Sequence, residues 1–166
     1  LQQQDQAELL REEDIVQERL QEWLDDAEIE SNDHKLSIRC DIDSAPVKAN
    51  WDWLLVERAF DNILRNAIRF SPEGAELVVR CHERNGVVAL SVRDFGPGVP
   101  EEELSRIFDA FAQVDSARDH ASGGYGIGLA LVSRITELHN GKVVAQNQSP
   151  GLQVTLSMPV SDKKSS

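Results

Sequence analysis

The sequence lacks a long apolar run and an excess of basic residues, and each absence excludes a class of function. No apolar run approaches the roughly 18 residues of a membrane-spanning helix, and no signal-peptide pattern opens the chain. Lys and Arg number 17 against 29 Asp and Glu, which gives a formal net charge of -12. Because nucleic acid is bound through clustered basic side chains, this balance argues against a nucleic-acid partner.

Cysteine is also scarce, with only Cys40 and Cys81 in the chain. Both lie in strand-like runs and not at CxxC spacing, which predicts small reduced core residues in a cytosolic setting, and not a disulfide or a metal pair. The chain begins with Leu1 and not with Met, so we expect a fragment of a longer protein. Its 166 residues are most simply one domain.

Hydrophobic periodicity predicts three main helices and about five strands. The helices fall near residues 20–30, 51–70 and 126–138, with a short helical piece near 101–108. The strands fall at 35–42, in two arms of a hairpin within 75–94, at 141–147 and at 152–158. The hairpin turns at Asn85 and Gly86. Because helices and strands do not alternate strictly, we expect an α+β two-layer sandwich with a mixed sheet and the helices on one face.

Two asparagines occupy the apolar side of the helix predicted over 51–70. At about 100° per residue, Asn62 and Asn66 stack on one line next to Phe70. Burying a carboxamide without a partner costs about 1–3 kcal/mol. The pair therefore either hydrogen-bonds the backbone of a neighbouring loop or offers oxygen ligands to a hard cation or another ligand. Arg69, just round the helix, could then meet an anion.

One predicted strand ends at Asp94, which Gly96 and Gly98 follow on either side of a proline. The carboxylate either closes a simple Asx-turn or accepts a hydrogen bond from an amine such as that of adenine, while the glycines let a flat ligand approach the backbone. The tripeptide DFG is also found in eukaryotic protein kinases. Here no V-A-I-K strand or H-R-D loop accompanies it, which excludes that class.

The stretch SGGYGIGLAL places four glycines within six positions before the last predicted helix. It fits neither the Walker motif nor the dinucleotide motif G-x-G-x-x-G. It is either a mobile surface loop or an anion site, at which free N–H groups and the helix dipole attract phosphate. Residues 109–122 before it are polar and aperiodic, as a lid over a ligand would be. Arg118 and His120 carry positive charge there, and we expect His120 to be solvated.

Taken in order, these pieces resemble the ATP-binding catalytic domain of bacterial sensor histidine kinases, in the gyrase, chaperone, histidine kinase and MutL ATPase superfamily with its Bergerat fold. FDNILRNAIRFS resembles the N box, DFGPG the first glycine box, IFDAF the F box and GGYGIGLAL the second glycine box. The resemblance covers about residues 14–160. Residues 1–13 would be the end of a dimerisation helix or its linker, and 161–166 a disordered tail.

The resemblance implies a site for ATP and Mg2+. Asn66 would ligate the metal ion, and Asn62 and Arg69 would lie near the phosphates, so that these three are the expected catalytic side chains. Asp94 would bind the adenine amine. The other nucleotide-binding residues would be Phe70, Gly96, Gly98, Phe108, Phe111, Arg118, Gly124, Tyr125, Gly126, Ile127, Gly128 and Leu129. Among these, Phe108 and Phe111 would anchor the lid, and the glycines of the last box would clear space for the triphosphate.

Three departures from the family pattern affect this expectation. Ala110 stands where the F box usually has Pro, and Tyr125 where the second glycine box usually has Thr, so the lid geometry and any Thr hydroxyl contact are open. The gyrase-like branches carry a water-activating Glu at the position of Asn62. Its absence predicts weak hydrolysis of ATP and favours the kinase branch.

The implied activity is transfer of the γ-phosphoryl group of ATP to a His on a separate dimerisation domain of the same parent kinase. No histidine of this chain has the acceptor context, since His82 precedes Glu83 but lies on a hairpin strand. A response regulator would be a further partner, and the fragment would be the cytoplasmic portion of an inner-membrane sensor, without membrane or nucleic-acid contact of its own. The alternatives are a non-catalytic, nucleotide-gated interaction module and an anti-sigma Ser kinase of the same superfamily.

Overall fold

The computed structural model describes residues 8–109 and 126–161 of the chain. Within these ranges the chain forms a five-stranded sheet, a separate two-stranded sheet and three α-helices. The elements are β1 (Glu12–Ile15), α1 (Val16–Asp33), β2 (Ser37–Ile42), β3 (Lys48–Trp51), α2 (Trp53–Phe70), β4 (Glu76–Arg84), β5 (Val87–Arg93), α3 (Gly126–Leu138), β6 (Lys142–Asn147) and β7 (Leu152–Pro159). The predicted α+β class and mixed sheet are confirmed.

The large sheet has the strand order β2-β4-β5-β7-β6. β2 runs parallel to β4, and the other neighbours are antiparallel. The predicted hairpin joins β4 and β5 at Asn85 and Gly86, whose φ angles of 54° and 81° are those of a primed turn. β7 alternates between buried and half-buried residues, as a strand with one face on a core must.

The hydrophobic core lies between the helices and one face of the large sheet. α2 supplies its centre with Val56, Phe60 and Leu64, each at most 1% exposed. Its N-terminus is capped by Asp52, whose side chain accepts a hydrogen bond from the N–H of Leu55 at 3.3 Å. The helix ends at Phe70, two residues before a proline.

The helix predicted over 51–70 begins two residues later than expected, at Trp53. Trp51 instead ends β3, where it is fully buried, and its indole N–H donates to the carbonyl of Pro159 at 2.7 Å. β1, which pairs antiparallel with β3, was not predicted at all. The strand pairing decides the conformation of Trp51, which a helical spacing of apolar residues could not reveal.

Two further expectations were wrong. Cys81 is a buried core residue as predicted, but Cys40 is exposed on β2, which lies at the edge of the sheet. The first helix, predicted near residues 20–30, begins at Val16 and continues to Asp33. The short helical piece is a 3-10 turn at Glu101–Glu103. None of the helices in the described ranges combines the length and apolarity needed to cross a bilayer.

Candidate functional site

α2 brings the start of α3 and the loop after β5 into one place. The side-chain amide of Asn62 donates to the carbonyl of Gly128, in the first turn of α3, at 3.2 Å. Near the other end of α2, a Cβ atom on Gly96 would clash with the backbone carbonyl of Phe70. Gly128 of the second glycine box and Gly96 of the first one therefore meet the same helix, although they lie 32 residues apart in sequence.

Asn62 and Asn66 differ in their hydrogen bonding. Both are half-buried, and Asn62 follows the simpler of the two expectations, since it binds neighbouring backbone. Asn66 does not: its Nδ2 is buried and has no partner among the described residues. An unpaired buried amide costs about 1–3 kcal/mol, so Asn66 retains a polar group suited to a ligand from outside the described chain.

The Asn66 carboxamide also fits the expected metal ion. Its nitrogen and oxygen exchange places by a half-turn about the last side-chain bond, so that the amide can present oxygen, the ligand atom that Mg2+ requires. No group of three or more His, Cys, Asp or Glu side chains in residues 8–109 and 126–161 could hold a metal ion. The described side chains alone would therefore leave most positions around a Mg2+ ion here to other ligands, such as phosphate and water.

Asp94 lies directly after β5 and is 6% exposed. Its Oδ1 accepts hydrogen bonds from the N–H of Gly96 at 2.9 Å and from the N–H of Leu152 at 3.1 Å. Within the described residues Oδ2 makes no hydrogen bond. The carboxylate is thus held by one oxygen and keeps the other for a donor such as an amine.

Burial raises the pKa of the Asp94 carboxyl above its ordinary value of 3.8, and the two backbone N–H groups partly oppose this change. A charge at this place is costly without a further partner. The site is therefore chemically suited to a hydrogen-bond donor.

The loop after Asp94 owes its glycines to close packing within the protein. Gly98 has a φ of +77°, and a Cβ there would lie 2.8 Å from Oδ1 of Asn147. Gly151 has a φ of +101°, and a Cβ there would clash with the carbonyl of Asp94. The proposed roles of Gly96 and Gly98 in shaping a ligand wall remain predictions beside these packing requirements.

Asn147 was missed in the sequence analysis. It ends β6, and its amide bonds both backbone groups of Val99 and the carboxylate of Glu101. The signal was present in the sequence, since Asn147 continues the row of Val143 and Ala145 on the helix-facing side of β6. A polar residue in an apolar row needs a partner.

The remaining predicted residues lie as follows. Arg69 is exposed, and its guanidinium lies 5.6 Å from the centre of the Phe70 ring. Phe108 is half-buried against the core, and Leu129 is buried in the first turn of α3. Gly126 and Ile127 begin α3. Four predicted residues lie outside the described residues: Phe111, Arg118, Gly124 and Tyr125.

The sequence of the chain is similar to a known family and to curated relatives. Residues 52–162 match the family described as histidine kinase-, DNA gyrase B-, and HSP90-like ATPase. The probable sensor kinase SilS of Salmonella typhimurium is 37% identical over 118 residues, which are 71% of this chain and 24% of that protein. The signal transduction histidine-protein kinase BaeS of Escherichia coli is 35% identical over 120 residues, 71% of this chain and 25% of that protein. The chain thus spans about a quarter of the length of these curated relatives.

The fold is also similar to that of solved structures. The nucleotide-free catalytic domain of histidine kinase ThkA superposes with a TM-score of 0.82 and 20% identity, over 93% of this chain and all of that one. A structure of ThkA in complex with the response regulator protein TrrA superposes with a TM-score of 0.78 and 20% identity, over 90% of this chain and 42% of that one. At this identity the likeness establishes the fold.

Proposed function

Because the chain belongs to the family of histidine kinase-, DNA gyrase B-, and HSP90-like ATPases, we propose that it binds Mg-ATP and donates the γ-phosphoryl group to a His on the dimerisation domain of a parent sensor kinase. The curated relatives SilS and BaeS are sensor kinases, and most of their length lies outside the matched region. The acceptor His, in this proposal, belongs to such a further domain.

The observation that carries the proposal is the buried, unpaired side-chain nitrogen of Asn66. It lies on the helix whose Asn62 touches Gly128 at the start of α3 and whose Phe70 touches Gly96. An anion at the N-terminus of α3 and a base near Asp94 would therefore belong to one ligand lying along α2. A nucleoside triphosphate carries both an anionic phosphate chain and a base.

Each end of the site has a distinct task in this proposal. The N–H groups and dipole of the α3 N-terminus would attract the phosphates. Asp94 Oδ2 accepts from the exocyclic amine of adenine, while its Oδ1 stays tied to Gly96 and Leu152. Asn66 would hold Mg2+, and when bound this ion neutralises phosphate charge.

Phosphoryl transfer requires little covalent chemistry from the protein, because positioning and charge neutralisation supply most of the rate. Asn62 fixes the first turn of α3 against α2, and so aligns the phosphate end. The imidazole of the acceptor domain is the nucleophile. No described side chain of this chain has to carry the phosphoryl group.

Partners and location follow from the same proposal. The response regulator that accepts the phosphoryl group next would be a protein of the kind that ThkA is seen with. The parent would be a sensor of the inner membrane, with this domain on its cytoplasmic side. The lid roles of Phe111 and Arg118 and the phosphate contacts of Gly124 and Tyr125 also belong to the proposal.

The test combines binding and transfer. Calorimetry with Mg-ATP is compared for the wild type, Asn66→Ala and the control Asn32→Ala, an exposed amide at the end of α1. We expect binding in the wild type and the control and its loss in Asn66→Ala, with all three folded. Retained affinity in Asn66→Ala would count against the assignment.

Transfer is then measured with γ-labelled ATP and the dimerisation domain of the parent kinase. Acid-labile label on that domain, lost when its acceptor His is replaced, supports the kinase. Binding without transfer would instead favour the nucleotide-gated interaction module, and acid-stable label on a serine the anti-sigma type of kinase.

A further inference from the structure

The loop that carries Asp94 lies against the turn between β6 and β7. The loop comprises residues 94–100, and here it is called the Asp94 loop. At its start, the Asp94 N–H donates to the carbonyl of Leu152 at 2.9 Å, and Asp94 Oδ1 accepts from the N–H of Leu152 at 3.1 Å. These contacts hold the first residue of the loop only.

At the far end of the loop, the side chain of Asn147 makes the hydrogen bonds. Its Oδ1 accepts from the N–H of Val99 at 2.9 Å, and its Nδ2 donates to the carbonyl of Val99 and, at 2.9 Å, to Oε2 of Glu101. Both backbone groups of Val99 are thus paired by one carboxamide. Such a two-way bond fixes the backbone as a neighbouring strand would.

The shape of the loop depends on this contact. Gly98 has a φ of +77°, and the place its Cβ would take is closed by Oδ1 of Asn147 at 2.8 Å and the carbonyl of Gly151 at 3.2 Å. The side chain of Val99 is buried, at 6% exposure. The loop is therefore hydrogen-bonded to β7 at Asp94 and to β6 at Val99, and Gly96 and Gly98 lie between these two points.

The position of Asn147 is not explained by strand packing. Val143 and Ala145 precede it in the row that packs against the core, where packing alone favours an apolar residue. A carboxamide in such a row is retained only if it binds something. What it binds is the loop that carries the buried carboxylate.

We propose that Asn147 is a positioning residue for nucleotide recognition: it holds the Asp94 loop in the shape that presents Oδ2 of Asp94 to the base. This inference rests on the proposed function. Asn147 itself touches no part of the ligand. Its loss lets the loop take several shapes, so that the base is bound by only a fraction of the molecules, and the apparent affinity falls by that fraction.

The expected signature is a change in KM without a change in kcat. The base end of the ligand is remote from the phosphoryl group that reacts, so Asn147 contributes binding that is the same in the ground state and the transition state. For Asn147→Ala we expect the KM for Mg-ATP to rise about tenfold, the effect of about one hydrogen bond, and kcat to change less than about twofold. A variant that merely folds less well shows a lower kcat at an unchanged KM.

The experiment measures initial rates of phosphoryl transfer to the dimerisation domain at varied Mg-ATP, for the wild type, Asn147→Ala and the control Gln146→Ala. Gln146 is the exposed neighbour of Asn147 on β6, and its variant is expected to match the wild type. An Asn147→Ala enzyme with the KM of the wild type, or with a fall in kcat alone, overturns the inference. A wild type without transfer overturns the proposed function, and the inference with it.

A second pair of variants does not depend on Asn147→Ala being stable. In Asn147→Asp a carboxylate faces the carbonyl of Val99 and the carboxylate of Glu101, so the KM should rise further than in Asn147→Ala. Adding Glu101→Gln supplies a donor to that carboxylate. The KM of the double variant should then fall at least threefold below that of Asn147→Asp, which corresponds to about half the free energy of a typical hydrogen bond. A double variant no better than Asn147→Asp contradicts the positioning role.

Discussion

Replacing Asp94 by Asn separates the recognition of the base from the stability of the fold. The variant keeps an oxygen that can accept from the N–H groups of Gly96 and Leu152, which the wild type binds at 2.9 and 3.1 Å. It replaces Oδ2, the acceptor left for adenine, with an amide that donates. The new side-chain amide and the amine of adenine are then two hydrogen-bond donors that face each other.

The loss of affinity follows from the hydrogen bond that is removed. A bond to a charged acceptor contributes about 1.5–3 kcal/mol, which corresponds to a roughly 10- to 150-fold weaker binding of ATP. Calorimetry at pH 7.5 measures this directly. Asp41→Asn, which removes an exposed carboxylate on β2, is the matched control and should bind ATP as the wild type does.

The same variant should not lose stability, because the pKa of Asp94 is higher in the folded protein than in the unfolded chain. Burial raises the pKa of this carboxyl above 3.8 in the folded protein, so the unfolded chain releases its proton first. The folded state of the wild type therefore loses stability as the pH rises from about 3.8 through the raised pKa, by about 1.4 kcal/mol for each pH unit that separates the two pKa values. Asp94→Asn lacks this loss and should be at least as stable as the wild type at neutral pH.

Urea unfolding of both proteins between pH 4 and pH 8 tests the stability claim. As the pH rises through this window, the free energy of unfolding of Asp94→Asn should increase relative to that of the wild type. The reasoning fails if Asp94→Asn binds ATP with the affinity of the wild type, or if it unfolds more easily than the wild type at pH 7.5.

Three further outcomes are expected. Asn66→Leu should raise the free energy of unfolding by about 1–2 kcal/mol, since it removes a buried unpaired amide, whereas Asn62→Leu, which breaks the bond to α3, should lower it; chemical denaturation of both decides. In native protein a thiol reagent should modify Cys40 alone, because Cys81 is 2% exposed and burial raises its pKa to about 11; two reactive thiols before unfolding would be a contradiction. Burial lowers the pKa of His139 below 6.5, so stability should fall as the pH drops below about 6.5, and urea unfolding of His139→Gln should lack that part of the pH dependence.

Local patterns in the sequence predicted most helices, the hairpin and the strand at 152–158, because those depend on neighbours in the chain. The hairpin turn at Asn85 and Gly86 is an example, since its two residues favour the left-handed backbone that the turn needs. β1 could not be predicted in the same way. Its four residues, EEDI, have no strand pattern, and they form a strand only because β3 is there to pair with them.

In the candidate site, too, the sequence predicts single residues but not their distant partners. Asn62, Asn66 and Asp94 could be found because each is a polar residue where an apolar one was expected or a carboxylate beside glycines. Their partners could not be found, since Gly128 and Leu152 contribute backbone groups that any residue would supply. Which of the two asparagines keeps an unpaired amide also depends on how α3 lies against α2.

The tryptophans have a practical consequence for such experiments. All three tryptophans of the chain lie in one cluster, in which the ring centre of Trp53 is 5.0 Å from that of Trp51 and 6.2 Å from that of Trp23. The indole of Trp53 donates to the carbonyl of Glu12 in β1 at 2.7 Å. Intrinsic tryptophan fluorescence therefore reports on one region of the protein, the contact between β1 and the beginning of α2. A change in tryptophan emission on adding nucleotide would show that binding along α2 changes the structure around β1.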